Sequence, residues 1–134
     1  MRAFARSVAD HFAASWTATT IQYENVMFSP PSGAAWVRLN VMPAVVRQIS
    51  LGASSVDREY GTVQVTVFAP LAQGTEYRDH LIDILKPIFR KRRIGGAQFE
   101  TPDVSVDTSF AEPWFMASVR WRYWLDETTD AVLT

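Results

Sequence analysis

Apolar and polar residues alternate most regularly over two stretches of the chain, and each predicts a strand with one buried face. Val63, Val65 and Val67 alternate with Thr62, Gln64 and Thr66. From Trp114 to Trp124, the residues Phe115, Ala117, Val119, Trp121 and Tyr123 alternate with Met116, Ser118, Arg120, Arg122 and Trp124. A pleated strand sends successive side chains to opposite faces, so one set in each stretch belongs to the core and the other lies outside. Trp36 to Met42 repeats the pattern, with Val37, Leu39 and Val41 set against Trp36, Arg38, Asn40 and Met42. Shorter extended segments are predicted for Ile21 to Val26, ahead of a stiff loop at Pro30 and Pro31, and for Phe99 to Val106. In the second, Pro102 and a shift in apolar parity point to a bulge or an edge position.

Elsewhere the period changes. Phe4, Val8 and Phe12 recur at every fourth position, with Trp16 extending the stripe, which predicts a helix from about Ala3 to Ser15. Tyr77, Leu81, Ile84, Leu85 and Ile88 form a second stripe, preceded by a turn at Pro70 to Gly74 and a capping Thr75. Glu76 and Asp79 suit the start of that helix. Pro87 predicts a kink, since an interior proline costs about 3 kcal/mol in a straight helix, and Gly95-Gly96 a stop. Between Pro43 and Asp57 the pattern degrades into VVRQISLGASSV, read as a long hairpin excursion without regular structure of its own. The tail from Asp126 is short, polar and acidic, and is expected to fray unless a neighbour holds it. The order α-β-β-β-α-β-β, without regular β-α-β alternation, predicts an α+β fold. An N-terminal helix and a central helix would pack on a mostly antiparallel sheet in a single domain over residues 1–134.

Composition narrows the function. With 134 residues and 48% hydrophobic content, such a chain buries roughly two thirds of its unfolded surface. The 13 Lys and Arg nearly cancel the 14 Asp and Glu, so no overall field draws in nucleic acid, an anionic membrane or an acidic substrate. The absence of cysteine excludes disulfides, thiolate metal sites and a cysteine nucleophile. The N-terminus lacks a continuous apolar signal region, and no apolar run approaches the roughly 18 residues of a membrane span. The chain reads as soluble, unexported and without membrane contact.

Candidate chemistry is sparse. His80 adjoins Asp79, but neighbouring helical residues point about 100° apart and make no dyad. His11 borders the first apolar stripe and has no ligand partner at metal spacing. The carboxylate pairs Asp57 and Glu59, Asp103 and Asp107, and Asp126 and Glu127 are scattered, and no Walker loop, GxGxxG or GxSxG motif is present. No catalytic, cofactor-binding or metal residue is assigned, and an enzyme is not indicated. Two features stand out. Arg90, Lys91, Arg92 and Arg93 form a basic patch that suits a helix C-terminus, an acidic protein surface or passing nucleic acid. Trp36, Arg38, Arg120, Arg122 and Trp124 interleave aromatic and cationic residues on outer strand faces, which suits a base-stacking platform or, better at near-neutral charge, a subunit interface.

Taken together, the pattern resembles the tail terminator proteins of long-tailed bacteriophages, the group typified by the phage lambda terminator. The residues that carry the likeness are a proline-bearing loop into Trp36-Val37-Arg38, then Gly61 and the strand into Phe68-Ala69-Pro70. Gly74, the helix ending in Ile88-Phe89 and the closing strand Pro113 to Val119 follow, so the likeness spans about Ala3 to Asp126. The resemblance implies a virion tail protein assembled in the host cytoplasm. It implies a homo-oligomeric ring, usually a hexamer, that caps the tail tube, ends its polymerisation and forms the head-joining surface. Its partners would be further copies, the tail tube protein and a head-completion or connector protein, with DNA only passing through the lumen. The excursion resembles the loop that grips the layer below in tube-like folds, which places tube contact at Arg47 and Arg58. One ring patch falls on Trp36, Arg38, Arg120, Arg122 and Trp124. The alternatives are another head-tail connector or tail-completion protein, a nucleic-acid-binding α+β module, and a small ligand binder or enzyme.

Overall fold

A computed structural model describes residues 3–24, 26–29, 33–51, 54–70, 74–106 and 114–130. The loop prolines Pro30 and Pro31, residues 71–73 of the expected turn, Gly52, Ala53, Asp107 and Pro113 lie outside the described residues. Three long strands form the spine. Strand β3 (Ser54–Pro70) lies between β2 (Trp36–Gln48) and β7 (Trp114–Asp130), antiparallel to both. The short β1 (Thr20–Gln22) adds to β2 in parallel. Beyond β7 lie β5 (Ala97–Phe99) and then β4 (Arg93–Ile94), and β6 (Asp103–Val106) pairs with β7 further along. Among the described residues the sheet order is β1-β2-β3-β7-β5-β4, and all pairings but β1 with β2 are antiparallel. The α+β class and the expected order of elements hold, with the segment after the second helix divided into three short strands before the long one.

The core lies where the alternation places it. Val37, Leu39, Val63, Val65, Val67, Ala117, Val119, Trp121 and Tyr123 are buried on the inner face. Helices α1 (Ala3–Ser15) and α2 (Gly74–Leu85) cover them with Phe4, Val8 and Phe12 and with Leu81, Ile82 and Leu85. Each such side chain contributes about 1.5–3 kcal/mol on leaving water. Phe89 joins the layers: its ring lies 6.3 Å from Phe12, 5.1 Å from Phe99 and 4.9 Å edge-on from Trp121. The Trp121 indole N–H donates to the Lys86 carbonyl at 3.1 Å, satisfying one of the backbone acceptors that the end of α2 leaves open. His11 Nε2 donates to the Ile88 carbonyl at 2.8 Å, so this histidine ties α1 to the turn after α2.

Four expectations need correction. First, α2 ends at Leu85 and does not kink through Pro87. Proline disfavours helical backbone at the residue before it, and the chain turns at 86–91 instead. Second, its buried stripe is Arg78, Leu81, Ile82 and Leu85, whereas Ile84 is 38% exposed. Arg78 lies on the packed face with its guanidinium 5.9 Å from the Phe115 ring, as an arginine stem covering apolar surface does. Third, Gly95 and Gly96, at φ of 60° and 83°, form the two-residue turn between β4 and β5. Positive φ at both positions is the geometry a tight hairpin demands. Fourth, the excursion is not unstructured, and β3 is the neighbour that holds residues 126–130 of the tail. The β2–β3 ladder runs out to Gln48 and Asp57, and β7 accompanies β3 to the pair Ser54 and Asp130.

These extensions make a three-stranded arm. It starts where the β2–β3 register shifts between Pro43 and Val45, leaving Ala44 as an extra residue between the pairs Pro43–Gly61 and Val45–Tyr60. The bulge changes the parity of β2, so Val45 and Arg47 share the outer face with Tyr60 and Arg58, and Val46 and Gln48 share the inner side with Glu59 and Asp57.

Candidate functional site

The expected ring patch lies on one face, but its members differ in surroundings. Trp36 is buried: its ring stacks on Phe68 at 3.9 Å and 6°, with Phe28 at 5.0 Å and Trp114 edge-on at 6.1 Å. Arg38 lies 5.0 Å over the Phe68 ring, and its Nε donates to Gln22 Oε1 at 3.0 Å. These two residues hold the end of the sheet together. The middle of the face is a polar ladder in which Gln64 donates to Thr66 and Ser118, whose hydroxyls lie 3.2 Å apart. Arg120 and Arg122 are exposed, and the nearest carboxylate to Arg122 is Asp103 at 4.0 Å. Ala44, Tyr60, Thr62, Glu100 and Arg122 line a shallow recess of about 310 Å³ there.

Trp124 belongs to the arm's base. Arg58 reaches diagonally across from β3 to it, placing its guanidinium 4.1 Å from the indole centroid, while its Nε and Nη2 donate to the two Asp126 oxygens at 2.7 and 3.0 Å. This fork-on-carboxylate contact holds the Asp126 carboxyl below the usual carboxylate range, the Arg58 hydrogen bond being the largest cause. It raises the Arg58 guanidinium above its ordinary value as well, again chiefly through the hydrogen bond to Asp126. Arg47 stands directly opposite Arg58 in the β2–β3 ladder and makes no ion pair among the described residues. Like charges so placed repel.

The arm also leaves apolar side chains in water. Val45, Val46, Ile49 and Leu51 are exposed toward its tip, with Leu51 at 87%. Periodicity pointed away from this apolar surface, because the segment matches neither a strand nor a helix template cleanly. The basic residues fall elsewhere. Arg90, Lys91 and Arg92 lie in the turn after α2, where Lys91 has φ of 52°, and Arg93 opens β4 on the outer side near Asp126. They do not cap a helix. His80 is exposed on α2.

A sheet with two helices on its inner face, a projecting arm and an outer face rich in arginine defines an α+β domain. The same fold is found in a solved structure 21% identical in sequence, which aligns over 90% of this chain and 89% of its own with a TM-score of 0.63. A search of curated proteins finds no match. Residues 1–123 match the family model described as phage tail terminator protein, and the chain belongs to that family. It is therefore a structural component of the phage tail. Among the described residues, no helix is long and apolar enough to cross a membrane.

Proposed function

We propose that the protein caps the phage tail as a ring of identical subunits, six in number. The ring sits on the last layer of tail tube protein, ends its polymerisation and presents the surface to which the head-completion protein joins, with DNA passing through the lumen. The family match over residues 1–123 carries this reading. The arm supports it, since a projecting hairpin with unburied Val45, Ile49 and Leu51 suits contact with another chain. Arg47 and Arg58 on the arm's outer side meet the tube, and the outer sheet face with Arg38, Arg120, Arg122 and Trp124 takes part in the ring. Trp36 contributes by bracing that face from within.

Electron microscopy and mass measurement of the purified protein, alone and on tail tubes, test the proposal. A six-membered annulus at the tube end is expected, and tubes that stay bare at the end where the head joins would refute it. Replacing Arg47 and Arg58 by Glu should give overlong or headless tails, and a normal phage yield would remove the tube contact from the arm.

A further inference from the structure

The two sides of this sheet carry opposite charge. On the outer face, the register places Arg38, Arg47, Arg58, Arg93, Arg120 and Arg122 together, against Asp103 and Asp126, with Glu100 at the rim of the recess. The inner side of the arm holds Asp57 and Glu127, with Glu59 nearer the core. Asp57 faces Glu127 directly across the β3–β7 ladder. Glu59 accepts from the Tyr123 hydroxyl at 2.7 Å, which fixes it on the same side as the core. Past this point the helices no longer cover the inner face, and Val46 is 64% exposed beside the carboxylates. Opposed like charges and a bare valine are unfavourable in isolation, and both are relieved by a cationic surface with a depression in it. The outer face is such a surface, with exposed Arg122 lining the recess, exposed Arg120 two residues along the same strand, and Met42 and Tyr60 partly bare nearby.

Resting on the ring reading above, we infer that the inner side of one copy's arm lies across the outer sheet face of the next copy. Asp57 and Glu127 stand against Arg120 and Arg122, and Val46 enters the recess. Two different patches meet, so the contact repeats from copy to copy and closes when the rotation per copy divides a full turn. The outer side of the arm, with Arg47 and Arg58, stays free for the tube. The basic turn at Arg90 to Arg92 is the competing seat for the arm's carboxylates.

Charge reversal tests the contact on the full chain. Light scattering across a concentration series would compare the wild type with Asp57→Lys/Glu127→Lys, with Arg120→Glu/Arg122→Glu, and with all four changes combined. Each pair should raise the midpoint concentration of association by about a hundredfold, and the four together should recover most of that loss, since the charges are exchanged and not removed. Salt should weaken the wild-type contact. Thermal unfolding checks each fold, and where a reversal unfolds the chain, Asp57→Asn/Glu127→Gln and Arg120→Gln/Arg122→Gln should show the same effect at smaller size. If rings persist in both reversed pairs, the inference falls and the terminator reading stands. If Arg90→Glu/Arg92→Glu dissociates the ring and Arg120→Glu/Arg122→Glu does not, the arm seats on the basic turn and the inference falls. A wild type that stays monomeric both in concentrated solution and on tail tubes removes the ring reading itself.

Discussion

Tyr123 lies across Gly61: a β-carbon on Gly61 would fall 2.5 Å from the Tyr123 hydroxyl oxygen and 2.6 Å from the ring carbon that bears it. The glycine serves here as an absence of side chain, letting the phenol cross β3 and donate to Glu59. The tyrosine ring is buried and packed at 4.7 Å against Phe4, so it cannot simply swing away. Gly61→Ala should destabilise the protein by about 1–3 kcal/mol, as overpacking of a tight site does. Urea denaturation measures this, and an unchanged midpoint would show that the strands separate easily there.

Trp121 offers a second core test, because its indole is both buried and bonded to the end of α2. Trp121→Phe keeps an aromatic ring, leaves the Lys86 carbonyl without its donor and opens a small cavity. A loss of about 2–4 kcal/mol is expected from the unpaired acceptor and the lost volume together. Chemical denaturation gives the value. A loss below about 1 kcal/mol would mean that water takes over the carbonyl.

Arg47 and Arg58 should respond oppositely to the same substitution. Arg47→Glu replaces a repelling cross-strand pair with an attractive one, so the thermal midpoint should hold or rise slightly. Arg58→Glu sets a carboxylate against Asp126 and removes the cation over Trp124, so its midpoint should fall. Differential scanning calorimetry of the two variants separates these outcomes. An arm defect in tail assembly with Arg47→Glu, at undiminished stability, would mark this arginine as a contact residue.

The Arg58–Asp126 contact also predicts a pH dependence. Asp126 has a lowered folded-state pKa, so its contribution to stability is present above the ordinary carboxylate range and disappears as pH falls through the lowered value. A carbon-detected NMR titration should place the Asp126 midpoint below that of a free aspartate, and Arg58→Gln should return it upward. Equal midpoints in the two proteins would contradict the assignment of Arg58 as the main cause.

The long strands were legible because each has one buried face. Val63, Val65 and Val67, or Val119 and Trp121, could only alternate as they do if the other side stayed polar. The same rule locates a residue on a face without giving its exposure. Trp36 is on the outer face as the alternation requires, yet Phe28, Phe68 and Trp114 enclose it there. In α2 the stripe was misplaced by part of a turn, since Ile82 and Ile84 are equally apolar and only the position of the sheet decides between them. Gly95-Gly96 signalled a break correctly, but a pair of glycines after a helix looks the same whether it stops the helix or folds a hairpin. The arm was the least visible element. Its strands owe their order to backbone pairing with β7, and pairing of that kind leaves little trace in hydropathy when both faces are open to water.

Ala44 is the unpaired residue at the root of the arm, and the orientation of everything beyond it on β2 follows from its standing outside the ladder. Were it drawn into the ladder opposite Tyr60, the strand would run one residue out of register: Val45 and Arg47 would turn to the inner side, opposite Glu59 and Asp57, and Val46 and Gln48 would turn outward. No charged residue would have changed and the hydrophobic core would remain intact, yet the sidedness by which one subunit recognises the next would be scrambled. In this protein a slip of register by a single residue is thus a sharper alteration to assembly than most changes of chemical type.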